Sequence, residues 1–307
     1  MVRKGSRLSR IKSDWMVYLM IAPGILFILI FCYVPIFGVV IAFKNYYPVT
    51  GVAGIFSSQW VGLEHFIRYF QSPSFWPTLT NTLLMSLYKL VFYFPLPILL
   101  AIVINEVRNV RYKKVVQTVS YLPYFFSTVI VVGVLNSLVS SDGGLINQII
   151  QMFGGEPIMF LGETKFYRSI LTASYIWQNV GWGSIIYIAA ITGIDQELYE
   201  AASMDGAGKL RLIWHITLPG LAPVISIMLV LFMGSVLTSN FEYIILTYSP
   251  GVYSVADTID TFVYREGLIN SNYSFSTAVN LFKSVFSAGL LLLTNFISRR
   301  LGQNGIW

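Results

Sequence analysis

The chain has 307 residues; 55% are apolar, only 11% are charged, and the formal net charge is +6. So few charges exclude a water-soluble monomer, since a soluble domain carries about twice that fraction. The apolar residues fall in long blocks rather than short alternating runs, which excludes a barrel and predicts an all-α integral membrane protein.

Six blocks are long enough to cross a bilayer, which takes about 20 apolar residues as a helix. They run from Trp15 to Phe43, Leu79 to Ile104, Val115 to Val139, Ser169 to Thr192, Leu221 to Leu246 and Thr277 to Ile297. A transmembrane domain at 15–297 is thus flanked by a basic tail at 1–14 and a C-terminal tail at 298–307. Pro95 and Pro97 lie inside the second block, and the donors they remove predict a bend there. After the first block, WVGLEHFIRYF at 60–70 is amphipathic. Its Trp60, Phe66, Tyr69 and Phe70 suit either anchoring at the membrane interface or packing against the protein. SDGGLIN at 141–147 opens the second connection on that side; the third, Tyr248 to Ser276, is long and rich in Tyr, Asp and Ser.

Basic residues give the orientation. Arg3, Lys4, Arg7, Arg10 and Lys12 precede the first block, Arg108, Arg111, Lys113 and Lys114 follow the second, Lys209 and Arg211 precede the fifth, and Arg299 and Arg300 follow the sixth. The opposite side holds only Lys44, Arg68, Lys165, Arg168 and Arg265. The bias places both termini in the cytoplasm, which requires an even number of spans. The positive net charge is therefore a topological signal, and no nucleic-acid partner is expected. The first block is too long for a cleaved signal segment. A single cysteine, Cys32, allows no disulfide framework or cysteine metal site. His65 and His215 fall in loops on opposite sides and support neither a metal pair nor a catalytic triad.

The cytoplasmic connection at 194–219 is the most informative. It opens IDQELYEAASMDGAGK and ends in Leu218-Pro219. Ala201 and Ala202 favour a helix that Gly206 ends. A short exposed helix with small side chains is a docking element for a cytoplasmic partner. Glu200-Ala201-Ala202, Gly206, Ile216 and Leu218-Pro219 stand at the spacing of the cytoplasmic motif of binding-protein-dependent ABC importer permeases, which the chain resembles along its length. The stretch WQNVGWGSIIYIAAITGIDQELYEAASMDGAG is similar to the carbohydrate-uptake branch. The third external connection and the ending SRRLGQNGIW resemble the subgroup that imports complex oligosaccharides.

The resemblance implies a bacterial cytoplasmic (inner) membrane location, a second related permease, and two cytoplasmic ATPases that meet Glu200, Ala201, Ala202, Gly206, Ile216, Leu218 and Pro219. It further implies a lipid-anchored or periplasmic sugar-binding protein. ATP and magnesium are expected on the ATPases and no cofactor in this chain. Gly206-Ala207-Gly208-Lys209 is a weak echo of a phosphate loop, but Ser203 and Leu210 stand where that motif needs Gly and Ser or Thr. The chain is not expected to be catalytic.

A sugar path needs aromatic faces for ring C–H groups and amides or carboxylates for hydroxyls. Asn136, Trp177, Gln178, Asn179, Trp182, Asn240 and Glu242 supply both within predicted spans, with Thr238 and Ser239 beside them. The same residue types also glue helices together or form interfacial belts. Lys89 and Lys283, lone cations in spans, read as snorkelling or paired side chains. An ion-gradient transporter is the alternative, with Glu242 its candidate membrane carboxylate.

Overall fold

The computed structural model describes residues 14–238, 240–302 and 305. The tail cations Arg3, Lys4, Arg7, Arg10 and Lys12 lie outside the described residues, as do Ser239, Gln303, Asn304, Ile306 and Trp307. The described residues are helical and contain no strand beyond one isolated bridge between Lys44 and Trp60.

In chain order the principal helices are α1 (Trp15–Phe43), α2 (Glu64–Gln71), α3 (Phe75–Asn105) and α4 (Val110–Phe125). There follow α5 (Thr128–Val139), α6 (Leu145–Met152), α7 (Thr164–Thr192) and α8 (Gln196–Met204). The remainder are α9 (Lys209–Ser235), α10 (Phe241–Thr247), α11 (Ile259–Tyr264) and α12 (Tyr273–Arg300). By length and apolarity α1, α3, α9 and α12 each suffice to cross a membrane, and α4 with α5 makes a fifth candidate. At 29 residues α7 is also long, but it buries Thr172, Ser174, Gln178 and Ser184 along its length.

Two predicted spans are interrupted. The third does not run unbroken from Val115 to Val139, because α4 and α5 meet at 102°. Pro123 tightens the end of α4 into a 3₁₀ turn, Phe126 is extended, and the Ser127 side chain caps α5 by accepting from the Ile130 amide at 3.4 Å. The fifth begins at Lys209 and stops at Ser235, so Ile216, Leu218 and Pro219 lie inside α9 rather than in a loop. Leu246, predicted to close that span, belongs to the separate short helix α10. Pro95 and Pro97, predicted to bend the second span, follow one π turn at Lys89–Tyr93 within a continuous α3. There the Phe94 amide reaches back to the Lys89 carbonyl at 3.0 Å, a widened turn that gives the proline ring room.

The amphipathic segment packs inward through α2. Tyr69, 1% exposed, joins Phe75, Ile259, Phe262, Phe275 and Val279 in one apolar cluster. Trp60 stays exposed but stacks on Phe43 at 5.7 Å. By contrast, no residue from Trp15 to Tyr33 is buried, and α1 packs on α12 mainly through Val34–Phe43. The connection predicted to be the third external one is folded rather than loose. Asn81 on α3 donates to the carbonyls of Ser254 and Asp257 at 3.1 and 3.0 Å. Arg168 on α7 donates to Asn81 at 2.6 Å and to the Val255 carbonyl at 3.2 Å.

Candidate functional site: a polar cavity between two helix breaks

Two groups of buried apolar residues are shared by α3 and α7. Met85, Tyr167 and Leu171 belong to one cluster, and Ile98, Ala101, Tyr187 and Ile191 to another. Between them opens a polar cavity of about 670 Å³. Lys89 from α3, Tyr175, Gln178 and Asn179 from α7, and Tyr124 and Thr128 from either side of the first break line it. Ser235 at the end of α9, Thr238 and Asn240 from the second break, and Glu242 and Tyr243 from α10 complete the polar wall. A helix break frees backbone groups that need partners inside a membrane, and here side chains from the unbroken helices supply them. Gln178 donates to the Phe126 carbonyl at 2.8 Å and accepts from the Tyr243 hydroxyl. Ser86 donates to the Val236 carbonyl at 2.8 Å and Lys89 to the Thr238 carbonyl at 2.8 Å.

Of the residues read from sequence as a path, Gln178, Asn179, Asn240 and Glu242 come together in this cavity, with Thr238. Glu242 accepts from the Thr128 hydroxyl at 2.6 Å and is otherwise open. Asn179 donates to the Tyr175 carbonyl one turn before it, at 2.9 Å. Trp182 does not line the cavity; it stacks on Tyr124, which does, at 4.5 Å and 4°. Trp177 faces elsewhere, into a small apolar recess with Val131, Val134 and Leu138. Asn136 is exposed on α5 and is not among the lining residues. The 3.6-residue period explains the split on α7: positions 178 and 179 share a face that 177 does not. Lys89 and Tyr175 were missed. An intramembrane lysine was the available signal, and its distance in sequence from the fifth span hid the contact.

Lys283 does pair with a neighbour, Asp260 on α11. A second ion pair, Arg265 with Asp257 at 2.8 Å, ties down the connection between α10 and α12. There burial, then the Asp257 carboxylate, raises the Tyr248 phenol above its ordinary value, so it stays protonated and donates to Asp257 at 2.8 Å. The hydrogen bonds that Arg265 donates to Asp257 likewise hold its guanidinium charged.

At the other end of the bundle, α8 is the short exposed helix expected at Glu200, Ala201 and Ala202. Asp195 caps its start by accepting from the Glu197 amide at 3.0 Å. Its end is a Schellman turn: the Ala207 amide reaches the Ala202 carbonyl at 3.0 Å and the Gly206 amide the Ser203 carbonyl at 3.1 Å. Gly206 takes φ +80°, and a Cβ there would meet open space. The Tyr199 hydroxyl bonds that of Thr217 at 3.0 Å, pinning α8 to α9. Lys209 of the phosphate-loop echo is bound to Glu106 at 3.0 Å. Leu198, Met204, Leu210 and Trp214 are all exposed around α8.

Comparison with known proteins places this architecture. Residues 93–304 match the family described as the inner membrane component of binding-protein-dependent transport systems. The polygalacturonan/rhamnogalacturonan transport system permease protein YteP of Bacillus subtilis is 47% identical over 94% of this chain and 89% of its own. Protein LplB of the same organism is 42% identical over 98% and 94%. A chain in the crystal structure of a bacterial alginate ABC transporter, in complex with an alginate pentasaccharide-bound periplasmic protein, superposes with a TM-score of 0.89 at 40% identity, covering 98% of this chain and all of that one. The chain therefore belongs to the family of inner membrane components of binding-protein-dependent transport systems.

Proposed function

We propose that this chain is one of two permease subunits of an ATP-driven importer and carries an oligosaccharide by alternating access. One observation supports this most: a full-length likeness to oligosaccharide-importer permeases coincides with a polar, aromatic-lined cavity at mid-length of the long helices. Tyr124, Tyr175 and Phe232 offer faces to sugar rings, and Gln178, Asn179, Asn240 and Glu242 offer hydroxyl partners. The family assignment leaves an ion-gradient mechanism without support. On this reading six segments cross the membrane, with α4 and α5 counted as one and α7 included, and both termini are cytoplasmic. A second permease and two ATPases complete the complex. α8, with Glu200, Ala201, Ala202 and Gly206, seats in an ATPase groove. Ile216, Leu218 and Pro219, at the start of α9, set the angle at which α8 leaves the membrane.

The test is uptake by vesicles holding the whole complex, with binding protein outside and ATP inside. Uptake should require both and be indifferent to ionophores that collapse ion gradients. Uptake without ATP that an ionophore abolishes would sink the proposal.

A further inference from the structure

The cavity holds a charge that hydroxyl recognition does not need. Lys89 is 4% exposed, yet its ammonium reaches the cavity wall: its contacts, the Thr238 carbonyl at 2.8 Å and the Tyr175 ring at 5.5 Å, both line the cavity too. Only one N–H donor is used by that carbonyl, and no carboxylate of the described residues forms an ion pair with it. The Asp260 carboxylate acts on it through space but is held by Lys283. Glu242, the cavity's own carboxylate, is exposed and takes the Thr128 hydroxyl. A buried ammonium with a neutral carbonyl as its one hydrogen-bond partner is expensive to keep. Pinning the Thr238 carbonyl does not require a cation, because Ser86 pins the Val236 carbonyl with a hydroxyl.

We propose that Lys89 is a specificity-determining residue that binds a carboxylate of the substrate, so the imported oligosaccharide carries uronic acid units. The inference rests on the importer reading. Buried charge attracts more strongly than exposed charge because water screens it less, so Lys89 outweighs Glu242 for an anionic sugar. Tyr175 beside it gives the ring of the same sugar unit an aromatic face, and Asn179 and Asn240 give its hydroxyls partners.

The experiment uses the assembled complex in vesicles, supplied with trigalacturonate, an alginate trisaccharide, xylotriose and arabinotriose. Wild type should import an acidic trisaccharide in preference to the neutral ones. Lys89→Gln keeps a donor for Thr238 without the charge, and Lys89→Arg keeps the charge. The Gln variant should lose on the order of thirtyfold or more in kcat/KM for the acidic sugar, the low end for removing one partner of a buried charge pair. The Arg variant should retain most of it, and both should co-purify with their partners. Wild-type import of neutral sugars alone would overturn the proposal while leaving the importer reading intact; no ATP-dependent import of any sugar would sink that reading first. Wild-type kinetics in Lys89→Gln, or equal loss in Gln and Arg, would reduce Lys89 to a pin for Thr238. Should Lys89→Gln fail to assemble, the wild-type sugar preference still decides.

Discussion

Gln178 is the residue whose removal the structure prices most directly. It is 8% exposed and bridges two elements that otherwise end in mid-membrane, accepting from Tyr243 on α10 and donating to the Phe126 carbonyl at the first break. Gln178→Met keeps the volume and removes both bonds. Each is worth about 0.5–1.5 kcal/mol net, and a buried group left unpaired adds about 1–3 kcal/mol. The two orphans are not equal. The Tyr243 hydroxyl has Ser174 near it as a fallback partner, whereas Phe126 has extended backbone and no helix to rejoin. The sum is about 2–6 kcal/mol of lost stability. Tyr243→Phe alone removes one bond and should cost about 1–2 kcal/mol. Since the residues share that bond, the double variant should fall short of additivity by at least ~0.5 kcal/mol. Thermal unfolding of the purified complex, followed by tryptophan fluorescence, should show an apparent Tm lower by several degrees in Gln178→Met, at roughly 2 °C per kcal/mol for a chain of this size. A Tm within about a degree of wild type, or strict additivity in the double variant, would refute the assignment of Gln178 as the clamp.

Further outcomes are expected elsewhere in the chain. Ala202→Trp should leave the permease pair assembled but abolish binding-protein-stimulated ATP hydrolysis by the complex in lipid; wild-type stimulation would remove α8 as the docking element. Gly206→Val should act in the same direction through strain alone, since φ is +80° and no atom lies within 4 Å of the added Cβ. Gly181→Ala should block assembly or expression, because its Cβ would sit 1.9 Å from the Ser120 carbonyl where α7 crosses α4, and normal yield would show that this crossing yields easily. Single cysteines at the exposed Ser141 and Ser254, in a chain whose Cys32 is replaced by Ser, should label from outside with an impermeant reagent; labelling only after permeabilisation would invert the topology.

Much of the bundle was legible because lipid imposes length and apolarity on anything that crosses it, and those survive in composition alone. The first block was read to the residue as Trp15 to Phe43. The α8 turn was legible because a glycine just past a helical run is the usual left-handed residue that ends it. The breaks were not. Residues 115–139 and 221–246 each hold enough apolar residues to read as one run, despite Pro123 in the first and the polar Thr238, Ser239 and Asn240 in the second. What decides them is whether distant side chains, Gln178 for one and Ser86 and Lys89 for the other, are placed to satisfy the freed carbonyls. The Trp177 error has a simpler cause. Neighbouring residues on a helix point about 100° apart, so four polar and aromatic residues within six positions cannot all face one cavity.

The breaks also give the coupling proposal a mechanical content. α8 hangs on short links between α7, which ends at Thr192, and α9, which begins at Lys209. The Tyr199–Thr217 bond and the seating of Ile194 against Gly220 tie it to α9 again. Both flanking helices reach the cavity. At 1.5 Å per residue Gln178 stands about 21 Å along α7 from Thr192, and Ser235 about 39 Å along α9 from Lys209. Intact helices transmit such displacement, and compliance concentrates where the hydrogen-bond ladder is interrupted. If an ATPase shifts α8, the positions that yield are therefore Phe126–Ser127 and the break around Thr238, both beside the cavity. The bonds that must be exchanged there are those of Gln178, Ser86 and Lys89. That explains why hydrogen bonds rather than apolar contacts close these breaks: a directional bond can pass to a sugar hydroxyl or carboxylate without leaving a void. Substrate and helix break then compete for the same donors, so occupancy of the cavity biases which way it opens.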